Sequence, residues 1–207
     1  ITTTQSNADF SNRTVFEAPY STVVNGDASY VYLVTSTEEV QTLNELNRWT
    51  DTLPDIGLKM KTGLTVDFRN REALRDSAED DAVPLFYSQH IQDGKVVFPA
   101  GKEHEYIVTE QRGLLQENTN YLFVKRFTAK EEHRRLQCGV YLARKHPEYA
   151  EISTQNKINF ISGLRELSEC VVYGLYVLFN STLYDSYYRI LNGSVSYTHL
   201  TLPTTPY

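Results

Sequence analysis

The stretch 121-YLFVKRFTAKEEHRRL-136 sets a dense group of cations against an apolar run. Between positions 121 and 146 stand Lys125, Arg126, Lys130, Arg134, Arg135, Arg144 and Lys145, opposed only by Glu131 and Glu132. The whole chain is acidic, with a formal net charge of -6 and an isoelectric point near 5.4. A local cationic excess can still grip a polyanion, because at physiological salt the Debye length of about 8 Å screens distant carboxylates. The segment therefore calls for an anionic partner that Lys and Arg side chains can meet. The bland alternative is a solvated face on which Glu131 and Glu132 pair with Arg134 and Arg135.

Two further groups carry recognition chemistry. Lys59, Lys61, Thr62, Arg69, Asn70 and Arg71 surround a Lys-Thr-Gly turn whose backbone can approach a phosphate, and Asn or Arg side chains can read base edges bidentately. Arg69 and Arg71 equally suit salt bridges to Asp67 or Glu72. Asn156, Lys157 and Asn159 form the third group, where an asparagine at a turn also serves as a cap. Tyr184, Tyr187 and Tyr188 are either base-stacking rings or helix-packing residues.

Catalytic chemistry is not legible. No glycines stand at G-x-G spacing and no P-loop is present, so no cofactor cradle is expected in these residues. The five histidines form neither H-E-x-x-H nor a Cys/His cluster, and no metal site is expected. Cys138 sits in an apolar run and reads as a small buried hydrophobe. Ser162-Gly163 is not a nucleophile elbow. Two cysteines without metal or disulfide spacing fit a reducing compartment, and no run reaches the roughly 18 apolar residues of a membrane span. A cytoplasmic location is expected.

The elements that must position these residues follow from periodicity. Two β-rich runs around Asn25-Gly26 predict a hairpin, and Ser36 with Glu39 predicts a capping box opening a helix that ends near Thr50. Strands are expected over 64–68, 85–90, 95–98, 121–127 and 136–142, with a tight turn at Gln92-Asp93-Gly94-Lys95. The acidic interval 79–81 reads as a solvated loop. The apolar stretch 168-SECVVYGLYVLFNS-181 predicts a buried helix, followed by a second helix ending at Asn192-Gly193. The class is therefore α+β: a β-rich middle, as a small twisted sheet or partial barrel, preceded by a hairpin and helix and closed by C-terminal helices.

Four ordered stretches, 59-KMKTGLTVDFRNREAL-74, 84-PLFYSQHIQDGKVVFP-99, 121-YLFVKRFTAKEEHRRL-136, and 155-QNKINFI-161 leading to 178-LFNSTLYDSYYRILNGS-194, carry a resemblance. Together they resemble the C-terminal part of gamma-type restriction–modification adenine-N6 DNA methyltransferases, the group with a TaqI-like target recognition domain. The resemblance implies a DNA target recognition domain over 55–194, with 1–54 as the edge of a catalytic domain, and double-stranded DNA as the partner of the cations, whose phosphate contacts would supply sequence-independent affinity through counterion release. It also implies that S-adenosylmethionine and the Asn-Pro-Pro-Tyr or Asn-Pro-Pro-Phe motif belong to a catalytic domain upstream, since the chain has no Pro-Pro dipeptide. A fused endonuclease is compatible with it. Residues 195–207 contain no Asp, Glu, Lys or Arg, resemble translated sequencing-adapter read-through, and are expected to be non-native. The competing class is a non-enzymatic protein-interaction module whose tyrosine-rich helices dock a partner.

Overall fold

The computed structural model describes residues 1–26, 29–129 and 131–192; Lys130, Gly193 of the expected helix stop and the 195–207 tail lie outside the described residues. The strands are β1 (Thr2–Gln5), β2 (Thr14–Glu17), β3 (Val24–Asn25), β4 (Tyr30–Val31), β5 (Leu58–Thr62), β6 (Leu74–Arg75), β7 (Val83–Phe86) and β8 (Ile91–Gln92). They continue with β9 (Lys95–Val96), β10 (Tyr106–Ile107), β11 (Gln116–Glu117), β12 (Tyr121–Lys125), β13 (Cys138–Tyr141), β14 (Glu151–Thr154) and β15 (Ile158–Gly163). The helices are α1 (Tyr20–Val23), α2 (Thr37–Leu46), α3 (Glu169–Phe179) and α4 (Thr182–Asn192). The fold is α+β, β-rich, and its largest sheet is open rather than a closed barrel.

The chain packs as two units. The first joins residues 1–51 to 129–135 and to α4. Its core gathers Ala18, Val23, Tyr32, Val34, Leu43 and Ile190, all buried. At the start of α2 the Ser36 hydroxyl accepts the Glu39 N–H at 3.3 Å, whereas the Glu39 carboxylate takes the Thr35 N–H rather than that of Ser36. The cap is as expected and the reciprocal half of the box is displaced by one residue. α2 ends at Leu46, four residues before the expected Thr50, where Trp49 turns aside to pack on Tyr184 with ring centroids 5.8 Å apart. The Asn25-Gly26 hairpin forms with Gly26 at φ 76°, but its ladder holds only two residue pairs. Pro19 and α1 interrupt the run, and β2 pairs with β1 instead.

The second unit comprises 52–128 and 136–180. One sheet has the order β5-β15-β12-β13-β9-β8 and another β11-β14-β7-β10-β6. Residues from both sheets build one core, led by Phe86, Tyr121, Phe123, Tyr141, Ile152, Ile158 and Phe160. β12 reads Tyr-Leu-Phe-Val because both its faces are covered, one by this aromatic core and the other by α3. The β8–β9 turn has Asp93 at φ 47° and Gly94 at φ 78°, the two positive values a type I′ hairpin requires. The expected strand at 64–68 is absent: the strand lies earlier, at β5, and Asp67–Arg69 is a 3-10 turn in which the Asp67 carboxylate accepts the Phe68 N–H. Strands 85–90 and 95–98 are also shorter than expected, since Ser88–His90 forms a 3-10 turn. The helix expected to be buried, α3, buries only Val172, Leu175 and Phe179 and leaves Val171, Tyr173 and Val177 exposed. The 79–81 loop is exposed, as anticipated.

A buried polar pair sits inside the second unit. The Tyr87 N–H donates to His90 Nδ1 at 2.7 Å, which leaves the ring proton on Nε2, 2.7 Å from the Glu105 carboxylate. Burial pushes the His90 pKa below the ordinary histidine value. Burial opposes the Glu105 carboxylate, yet the Ala100 N–H and the His90 ring hold its pKa below the usual range. The unfolded histidine, with a pKa of about 6.5, therefore takes up its proton first as pH falls, and this stabilisation is present above that pH and lost below it. Thermal unfolding should show a midpoint that falls between pH 7.5 and 5.5, with His90→Gln flattening the slope; a variant retaining the full slope would contradict this assignment.

Candidate nucleic-acid interface

β12 ends in Lys125 and Arg126, and the backbone fixes both. The Lys125 N–H donates to the Gln137 carbonyl, and its ammonium reaches Gln137 Oε1 at 2.8 Å. The Arg126 N–H donates to the Lys157 carbonyl at 2.9 Å, and its guanidinium lies 3.3 Å from the Asn156 carbonyl. Asn156 and Lys157 occupy the tight turn where the chain passes from β14 to β15. Gln155, buried, closes that turn by accepting the Ile158 N–H on its carbonyl and the Lys157 N–H on its side chain.

The segment after β5 is tied to the same turn. The Gly63 N–H donates to the Ile158 carbonyl at 2.7 Å, and the Thr65 carbonyl accepts the Asn156 N–H at 2.9 Å. A Cβ on Gly63 would stand 2.2 Å from the Gln155 carbonyl oxygen. This glycine is explained by backbone packing, not by the phosphate approach expected of a Lys-Thr-Gly turn. Lys59 and Lys61 alternate on the edge strand β5 and are exposed, with Thr62 half-buried beside them. Only β15 separates β5 from β12, a spacing of roughly 10 Å. Arg69 and Arg71 are exposed on the turns that follow Thr65.

The fold thus gathers Thr62, Lys125, Arg126, Asn156 and Lys157 at one end of the six-stranded sheet, with Lys59 and Lys61 along its edge. Among the described residues, no carboxylate lies within ion-pair distance of Lys59, Lys61, Arg69, Arg71, Lys125, Arg126 or Lys157. The alternative pairing of Arg69 and Arg71 with Asp67 or Glu72 is not formed. By contrast Arg75, Arg112 and Arg144 each pair with a glutamate.

Other expected positions are placed differently. Asn159 is 3% exposed, in mid-sheet register between Thr62 and Val124, so it does not face a ligand in solvent. Arg134 and Arg135 belong to the first unit, apart from Lys125 and Arg126 in the assignment of units. Arg135 is 4% exposed; its N–H donates to Asp185 Oδ1 at 2.8 Å and its guanidinium lies 5.7 Å from the Tyr188 ring centroid. Arg189 pairs with Asp185 at 2.9 Å and donates to the carbonyls of Glu132 and His133, which fastens this loop to α4. Arg134 is half-buried in the same loop. Tyr184 packs on Trp49 and the Tyr187 hydroxyl lies 3.2 Å from that of Tyr32, so these tyrosines serve the core. Gln137 and Gln155, which position the cations, had no sequence signal, because their roles depend on long-range pairing. Among the described residues no cluster of His, Cys, Asp and Glu could hold a metal.

Two curated proteins align over most of this chain. The Type II methyltransferase M.PstI of Providencia stuartii is 35% identical over 192 residues, which cover 88% of this chain and 37% of that protein. The Type II methyltransferase M.BsuBI of Bacillus subtilis is 32% identical over 184 residues, covering 86% of this chain and 36% of that protein. The chain is homologous to Type II methyltransferases. It spans somewhat more than a third of the length of these relatives. No family model matches the chain, and no solved structure matches it.

Because the cation cluster depends on the close approach at Gly63, Gly63→Ala should destabilise the chain by about 1–3 kcal/mol through overpacking. Urea unfolding checks this, and an unchanged midpoint would contradict the packing account of Gly63.

Proposed function

We propose that this chain is the DNA target recognition region of a site-specific adenine-N6 DNA methyltransferase of a restriction–modification system, of the gamma type with a TaqI-like recognition domain. In this reading 55–194 grips and reads the duplex, while 1–54 forms the edge of the catalytic domain. The observation that carries it is the group of unpaired cations, Lys59, Lys61, Arg69, Arg71, Lys125, Arg126 and Lys157, held on a bonded scaffold in a homologue of Type II methyltransferases. Phosphate contacts from these side chains position the duplex without reading its sequence. Thr62 and Asn156 stand beside them and are the polar groups suited to short hydrogen bonds.

The residues described here hold no part of the chemistry in this reading. S-adenosylmethionine and the groups that hold the extruded adenine belong to the catalytic domain of the same protein, which transfers the methyl group to N6. The work is done in the cytoplasm; no helix among the described residues is long and apolar enough to cross a membrane. The exposed strip Val171, Tyr173 and Val177 on α3 is the one observation that favours a protein-docking module instead.

Lys125→Ala combined with Arg126→Ala should weaken duplex binding for all sequences and reduce the slope of log affinity against log salt by roughly one unit per lost phosphate contact. Fluorescence anisotropy across a salt series measures both, and unaltered affinity and slope would remove these residues from the interface.

A further inference from the structure

Two phenylalanines beside the cation cluster remain in water. Phe68 is 62% exposed and Phe127 is 41% exposed. Each has an arginine as its immediate neighbour, with the Arg69 guanidinium 5.6 Å from the Phe68 centroid and that of Arg126 5.2 Å from the Phe127 centroid. Among the described residues, neither ring belongs to the aromatic core around Phe86 or to the cluster around Leu85.

Both rings stand on backbone that is tied down. Phe68 sits at the centre of the Asp67–Arg69 turn, whose ends are closed by the Arg69 N–H on the Val66 carbonyl and the Asn70 amide on the same carbonyl. That turn follows directly from Thr65, whose carbonyl accepts the Asn156 N–H. Phe127 follows Arg126, whose N–H is held by the Lys157 carbonyl. The two rings are thus linked, through one bonded step each, to the Asn156–Lys157 turn. A ring exposed on an anchored turn and flanked by a cation suits a duplex, where the cation meets the phosphate and the ring meets a base face.

We propose that Phe68 and Phe127 are apolar wedges that unstack a base step of the bound duplex. This inference rests on the DNA-binding reading of the same surface and adds to it a role in deforming the target. Extruding a base requires breaking its stacking, and an apolar side chain inserted at the step compensates for that loss. Pyrimidine–purine steps, which unstack most readily, are the expected points of entry.

The test follows the 207-residue chain on duplexes of random sequence in which 2-aminopurine replaces adenine, with anisotropy reporting binding and 2-aminopurine emission reporting unstacking. The unaltered chain should raise the emission on binding. Phe68→Ala with Phe127→Ala should abolish that rise and weaken affinity by roughly fivefold or more per ring, with the salt slope unchanged because no phosphate contact is lost. Phe68→Trp alone should retain the rise. Binding without any rise in the unaltered chain, or a rise that survives the double substitution, overturns the wedges while leaving the DNA-binding reading intact. Absence of duplex binding at low salt overturns both.

Discussion

The turn at 155–158 is the constraint on which the candidate surface depends. Gln155 donates its N–H to the Phe86 carbonyl of β7, Asn156 donates to Thr65 after β5, and Lys157 accepts from Arg126 at the end of β12. Three segments distant in sequence are thereby held at one corner within hydrogen-bond distances. The same turn carries the chain from one sheet to the other, so the aromatic core that spans both sheets and the cations at their edge share a single anchor. Little slack remains there, because Gly63 passes so close to Gln155 that a methyl group does not fit.

Several carboxylates of this acidic protein are committed away from the basic corner. Glu105 is buried against His90, Asp185 holds the Arg135 N–H and Arg189, and Glu151 and Glu169 pair with Arg112 and Arg144. The exposed pairs among these contribute little to stability, because solvent screens them. Their larger effect is on where charge is left over. A cation with no carboxylate partner on a fixed backbone gives up less on meeting a phosphate than one that must first leave a carboxylate.

What could be read before folding was local. The cap at Ser36, the Asp93-Gly94 turn, the apolar run of β12 and the two C-terminal helices all depend on neighbours a few residues apart, and all are present. The exposed acidic loop at 79–81 followed from the same short-range rules. Structure departs from the local pattern where distant chain decides the outcome. The strand expected at 64–68 is displaced because Gly63 and Thr65 bond to residues some 90 positions away. Asn159 reads as a turn asparagine in isolation, yet β15 pairs on both sides and buries it. Arg135 reads as one more surface cation until Asp185 of α4 captures its N–H. α3 is apolar all round in sequence, and nothing local reveals that one side is left exposed.

Hydrogen–deuterium exchange of the chain, with and without duplex DNA at low salt, decides whether this corner meets the duplex. Exchange should slow on DNA binding over residues 59–71, 125–128 and 155–158, with α3 unaffected. Protection confined to α3, or protection nowhere despite measured binding, would contradict this and place the contact surface elsewhere.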